Sequence, residues 1–126
     1  MTRVLLTANL AQASQAQLAD IANRTGTTID PYVFADTNNL PAVDRESIEI
    51  VYASSELFTQ LGGFLSCFNL LDSLPKLRWV HLAFAGIDHP RFGNLLDRGV
   101  RLSNSPGAAA EPIAHTAMAG LLSLAR

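Results

Sequence analysis

Five short stretches of strand-forming residues alternate along this chain with stretches of helical spacing. That alternation narrows the possible folds more than any other feature. The strand-like stretches are 3–8 (with Val4-Leu5-Leu6), a segment within 27–34, then 48–53, the stretch opening at Leu77, and 100–102. Short continuous apolar runs suit strands covered on both faces. Their alternation with helices predicts an α/β fold built on a parallel sheet. Ligands are then expected at the carboxyl ends of the strands.

The segments between follow the same logic. Ser14 with Gln17 three residues on has the pattern of a capping box, ahead of Leu18, Ile21 and Ala22 at helical spacing, and Gly26 is placed to end that helix in the left-handed conformation. Asp30-Pro31 is expected to interrupt the second strand. Residues 36–47 are polar, with Asn38-Asn39 and Pro41, and read as a loop with a short turn of helix. Ser54-Ser55 follows the third strand and either caps the next helix or presents polar groups to a ligand. Residues 64–73 read as a helix with Phe64, Leu65, Phe68 and Leu71 on its inner side. A loop through 88–93 precedes a short helix around Leu95 and Leu96 that stops by Gly99. After the turn residues Asn104-Ser105-Pro106-Gly107, a long helix runs over 108–126, with Pro112 tolerable only in its first turn. Ile113, Ala117, Gly120, Leu121 and Leu124 make one stripe, and Ala114, Met118, Leu122 and Ala125 another. A helix so apolar around its girth is expected to be buried on more than one side, against a second body of protein.

Composition excludes several functions. The chain has 126 residues, enough for one domain with a core. Its formal net charge of −2 offers no footprint for nucleic acid or an anionic membrane. The single cysteine, Cys67, excludes an internal disulfide and a cysteine-based zinc site. The opening MTRVLLTANLAQ has too short an apolar run for a signal peptide core or a membrane span, so a soluble cytoplasmic domain is expected.

The stretch 77–90, LRWVHLAFAGIDHP, holds the candidate site. A buried strand ends there in Ala85-Gly86-Ile87-Asp88. Gly86 without a β-carbon either supplies a dihedral angle for the turn or admits a ligand to the backbone, where two free N–H groups could hold a carboxylate. His81 reads as a packed, hydrogen-bonded strand residue, His89 as a surface residue, and His115 as a residue of the last helix. Neither His81 nor His89 has a carboxylate at metal-ligand spacing, and no metal site is expected. The first strand is followed by Thr7-Ala8-Asn9-Leu10, which contains no glycine, so neither a dinucleotide fingerprint nor a P-loop is present. Asn9 and Ser54 stand where a receiver domain would place its acidic residues.

Three motifs in order, LPKLRWVHLAFAGIDHP, RGVRLSNSPG and PIAHTAMAGLLSLAR, resemble the D-isomer-specific 2-hydroxyacid dehydrogenases, in their N-terminal substrate-binding domain. The resemblance covers 48–126 well and 2–35 only in general pattern. The AGID-His form looks most like the glyoxylate/hydroxypyruvate reductase branch. The resemblance implies a flavodoxin-like domain, followed in that family by a Rossmann domain that two long helices connect. Arg126 falls where the first of those helices hands over. The chain is therefore expected to be the substrate-binding half of an enzyme that passes a hydride between NAD or NADP and a small 2-hydroxy or 2-keto acid. The full-length protein is expected to be a homodimer.

By that resemblance Ser54 faces the substrate, and Ala85, Gly86 and Ile87 bind its carboxylate through backbone N–H groups. Asn104 sits at the cleft edge, and Thr116 lies on the cofactor side. The family's arginine, histidine and acidic residue lie beyond this chain, so no catalytic residue is assigned to it, and alone it is expected to be inactive. Ile113-Ala114 is followed by His115-Thr116, where the family has Glu then His or Tyr. The alternative from a different class is a free-standing flavodoxin-like binding or interaction module.

Overall fold

The computed structural model describes residues 1–35 and 40–125. Asn38-Asn39, in the first part of the polar loop, and Arg126, at the end of the last helix, lie outside the described residues.

Five strands form one all-parallel sheet: β1 (Thr2–Thr7), β2 (Ile29–Phe34), β3 (Ile48–Ala53), β4 (Trp79–Leu82) and β5 (Arg101–Ser103), in the order β2-β1-β3-β4-β5. This is the flavodoxin-like order of doubly wound folds. The strand opening at Leu77 is thus fourth of five, and β3 takes the central position. Pro31 does not interrupt β2: it sits in register with Val4. Having no strand beyond it, β2 can hold a residue that lacks an N–H.

Side chains alternate between the two faces of each strand. Leu5, Val51 and Val80 stand in register across β1, β3 and β4, all fully buried. They meet Leu57 of α4 (Ser55–Gln60), Cys67, Phe68 and Leu71 of α5 (Phe64–Asp72), and Leu95 of α6 (Pro90–Asp97) in one core. Val4 and Leu6 are buried on the opposite face, where α1 (Ala8–Ala13) packs on β1 and β2 and α2 (Gln15–Thr25) on β2. Trp79, on that same face, is 37% exposed, and its indole N–H donates to Ser103 Oγ at 2.9 Å.

Several local expectations are corrected. Ser14 forms no capping box: helix begins at Ala8, directly after β1, and Ser14 is the joint between α1 and α2, with its N–H on the Leu10 carbonyl and no side-chain cap. Gly26 does end α2, at φ 65°. The short helical turn of the polar loop is α3 (Ala42–Arg45). In α5 the inner residues are Cys67, Phe68, Leu70 and Leu71, while Phe64 and Leu65 are exposed. Helix α6 starts at Pro90, earlier than expected, because His89 caps it by accepting the Arg91 N–H.

Helix α7 (Ala110–Leu124) is the long helix expected, with Pro112 in its first turn, and none of its residues is buried by the rest of this chain. Ile113, Met118, Leu121, Leu122 and Leu124 are all more than half exposed. Apolar composition reports that a helix needs cover. It does not report that the cover comes from the same chain.

Candidate functional site

The carboxyl edge of the sheet is where β3 and β4 hand over to loops. Strand β4 stops at Leu82, and the Ala83 N–H still reaches the Ala53 carbonyl at 3.1 Å. From there the loop leaves the sheet. The end of β5 holds it from one side: the Ser105 N–H donates to the Phe84 carbonyl at 3.2 Å, and Asn104 Nδ2 donates to the Ala85 carbonyl at 2.7 Å. Consecutive carbonyls of the loop are therefore satisfied. Its N–H groups are not. Among the described residues, nothing accepts from the backbone N–H of Ala85, Gly86, Ile87 or Asp88. All four residues are exposed, so water meets these donors in the free protein.

Gly86 is not explained by its backbone or by internal packing. Its φ lies outside the left-handed region, so the turn itself does not demand glycine. A β-carbon there would meet only Asp88 Oδ1, at 3.6 Å, an ordinary contact. Glycine is therefore not needed here for a left-handed dihedral, and the residue leaves the backbone open on that side.

Ser54 closes β3 and caps α4: its Oγ accepts the Leu57 N–H at 3.2 Å. The hydroxyl hydrogen is left to donate elsewhere. Nearby, Asn9 Nδ2 donates to Glu56 Oε1 at 2.7 Å, tying the start of α1 to the first turn of α4. His81 is the packed residue expected. Its Nδ1 and Nε2 lie 2.8 Å and 3.0 Å from the Ser103 and Ser105 hydroxyls, and its ring lies against Tyr52. Through Ser105 it also steadies the residue that holds the Phe84 carbonyl. At the far end of the loop, His89 is exposed and stacks on Phe68, while Arg91 pairs with Asp72 and donates to Asn69 Oδ1.

The geometry thus joins Ala85, Gly86 and Ile87 to Asn104 in one unit, and sets Ser54 at the end of the strand next to β4. Asn104 acts on the loop's carbonyl side, a role that its sequence position did not convey. Thr116 is not part of this unit. It is exposed on α7, and its hydroxyl donates to the Pro112 carbonyl at 2.8 Å. Among the described residues no group of three or more His, Cys, Asp or Glu could hold a metal ion. A cavity of about 320 Å³ lies elsewhere, between Phe34, Leu40, Leu61 and Leu70, and shares no lining residue with the loop. No described helix is long and apolar enough to cross a membrane.

No family model matches the chain. A segment of 56 residues, 44% of the chain, is 41% identical to erythronate-4-phosphate dehydrogenase of Shewanella sp. (strain MR-7), and the protein of that name from strain MR-4 matches to the same degree. The matched segment spans 15% of the length of each of these relatives. Among solved structures, the crystal structure of the RPS4 and RRS1 TIR domain heterodimer aligns over 90% of this chain and 88% of its own, at 14% identity and a TM-score of 0.46.

Proposed function

We propose that this chain is the substrate-binding part of an NAD(P)-dependent oxidoreductase acting on D-2-hydroxy acids and their 2-keto counterparts. We further propose that the loop Ala85-Gly86-Ile87 holds the substrate carboxylate. The observation that carries this reading is the loop's asymmetry: its Phe84 and Ala85 carbonyls are tied to the end of β5, while four successive N–H groups stay free beside a glycine that admits close approach. Fixed N–H donors with no internal partner suit a carboxylate, which only accepts. The partial similarity to two proteins named as dehydrogenases supports the same class.

In this reading the chain's own residues bind and orient. The loop amides take the carboxylate, Asn104 keeps them in place, and the Ser54 hydroxyl faces the rest of the substrate. The nicotinamide cofactor accepts or supplies the hydride. The residues here offer it little: no glycine follows β1 to cradle a pyrophosphate, and the Thr116 hydroxyl is already engaged on its own helix. Cofactor binding and proton transfer are therefore assigned to protein outside these 126 residues, and no step of either is placed on this chain. A homodimeric full-length protein belongs to the same proposal.

The test is NADH and NADPH oxidation by the protein encoded by the full reading frame, with glyoxylate, hydroxypyruvate and longer 2-keto acids. Turnover of at least one is expected. No turnover of any, with either cofactor, overturns the enzyme reading and leaves the binding-module alternative.

A further inference from the structure

Resting on the reading that the 85–87 loop holds a substrate carboxylate, the side chains next to that loop have a definite chemistry. Three phenylalanines meet beside it. The ring centroids of Phe58 and Phe64 are 4.6 Å apart, those of Phe58 and Phe84 5.2 Å, and those of Phe64 and Phe84 5.5 Å. Phe84 directly precedes Ala85, and Phe58 lies one helical turn after Ser54, with its N–H on the Ser54 carbonyl. Phe58 and Phe84 are half-buried against the core, and Phe64 is 51% exposed, as is Ile87 on the loop. Core packing explains the first two rings. It does not explain why a third large ring caps them while half in water.

Charge points the same way. In this topology the basic residues gather at the opposite, amino edge. Arg3 and Arg101 lie at the starts of β1 and β5, and Arg78 and Lys76 just before β4. Arg24 and Arg98 close α2 and α6, and Arg45 precedes β3. Among the described residues only Arg91 belongs to the carboxyl edge, and Asp72 and Asn69 engage it. Glu56 and Asp88 are the formal charges nearest the site in sequence. Among the described residues of this chain a phosphate, two charges in need of basic partners, finds none beside the loop, whereas an aromatic or branched apolar group finds a surface of rings.

We infer that this site selects a 2-keto or 2-hydroxy acid with an apolar, preferably aromatic, group beyond C2, received by Phe58, Phe64 and Phe84, and that it disfavours phosphorylated acids. The relatives of partial similarity are named for a phosphorylated acid, so the two would differ in substrate class at this position.

The test is a backbone-amide NMR titration of the 126-residue chain with phenylpyruvate, pyruvate and 3-phosphoglycerate. Phenylpyruvate is expected to shift the amides of 85–88 at about tenfold lower concentration than pyruvate, and 3-phosphoglycerate to be the weakest. Phe64→Ala, at a half-exposed position that leaves the fold intact, is expected to cut the phenylpyruvate-to-pyruvate preference to less than threefold. Equal affinities for the three acids, or tightest binding of 3-phosphoglycerate, overturn the selectivity while the carboxylate loop stands. The absence of shifts at 85–88 with every acid overturns the loop reading, and the selectivity with it.

Discussion

Asn104 acts on a loop 19 residues away from it in sequence. Its amide holds the Ala85 carbonyl at 2.7 Å and so fixes the Ala85–Gly86 peptide plane, whose N–H is one of the proposed carboxylate donors. Asn104→Ala removes one hydrogen bond, worth about 1 kcal/mol. Carboxylate affinity in the same NMR titration is expected to fall about fivefold, and the melting temperature by a few degrees. Equal affinity in the variant would remove Asn104 from the site. Cys67 offers a different kind of test. Burial pushes its thiol from the ordinary 9.0 up to about 12, so in the folded chain it stays protonated and unreactive. The unfolded chain loses that proton near 9, so stability falls as pH rises from about 9 to about 12 and is unaffected by this group below that window. A Cys67→Ala variant followed by denaturant titration across that range should lose the extra alkaline slope. The half-buried Tyr32 hydroxyl, also shifted up by desolvation and by neighbouring Asp44, adds to the slope in both proteins.

At the scale of elements, the strands were legible wherever a run of apolar residues was bounded by turn residues, as at β3, which falls on 48–53 as expected. Strand β2 was harder to read, since Pro31 looks disruptive until its edge position is known, and edge position is a tertiary fact. Ser14 misled for a related reason: its capping pattern is local, but Ala8 already continues the chain as helix straight from β1. Gly26 was legible because its cause is local. At φ 65°, Gly26→Ala should cost about 1 kcal/mol, read as a lower melting temperature. On α5 Phe68 and Leu71 are buried as expected, while Phe64 and Leu65, in the first turn, are exposed. Phe68→Ala should therefore cost about 3–5 kcal/mol in chemical denaturation, against little for Phe64→Ala. For the site, Gly86 and its neighbours stood out in sequence. Free donors were expected there too; the grip of Asn104 was not, because it depends on β5 lying beside β4.

At the scale of the molecule, the exposed apolar side chains of α7 dominate behaviour in solution. A helix presenting Ile113, Met118, Leu121, Leu122 and Leu124 to water drives association of the isolated chain. Replacing Leu121 and Leu122 together by glutamate is expected to lower the mass seen by light scattering at high concentration, without lowering the melting temperature, since neither side chain is buried in this chain. What form such association takes is decided at the margins of the sheet. A sheet grows into a fibre by recruiting strands at its margins. Here one margin is β2, where Pro31 removes a donor from the ladder, and the other is β5, only three residues long. Neither templates another strand well. Crowded together, these molecules should form discrete oligomers or amorphous precipitate held through their helices, since an imino acid at one margin and a three-residue strand at the other both disfavour edge-to-edge growth.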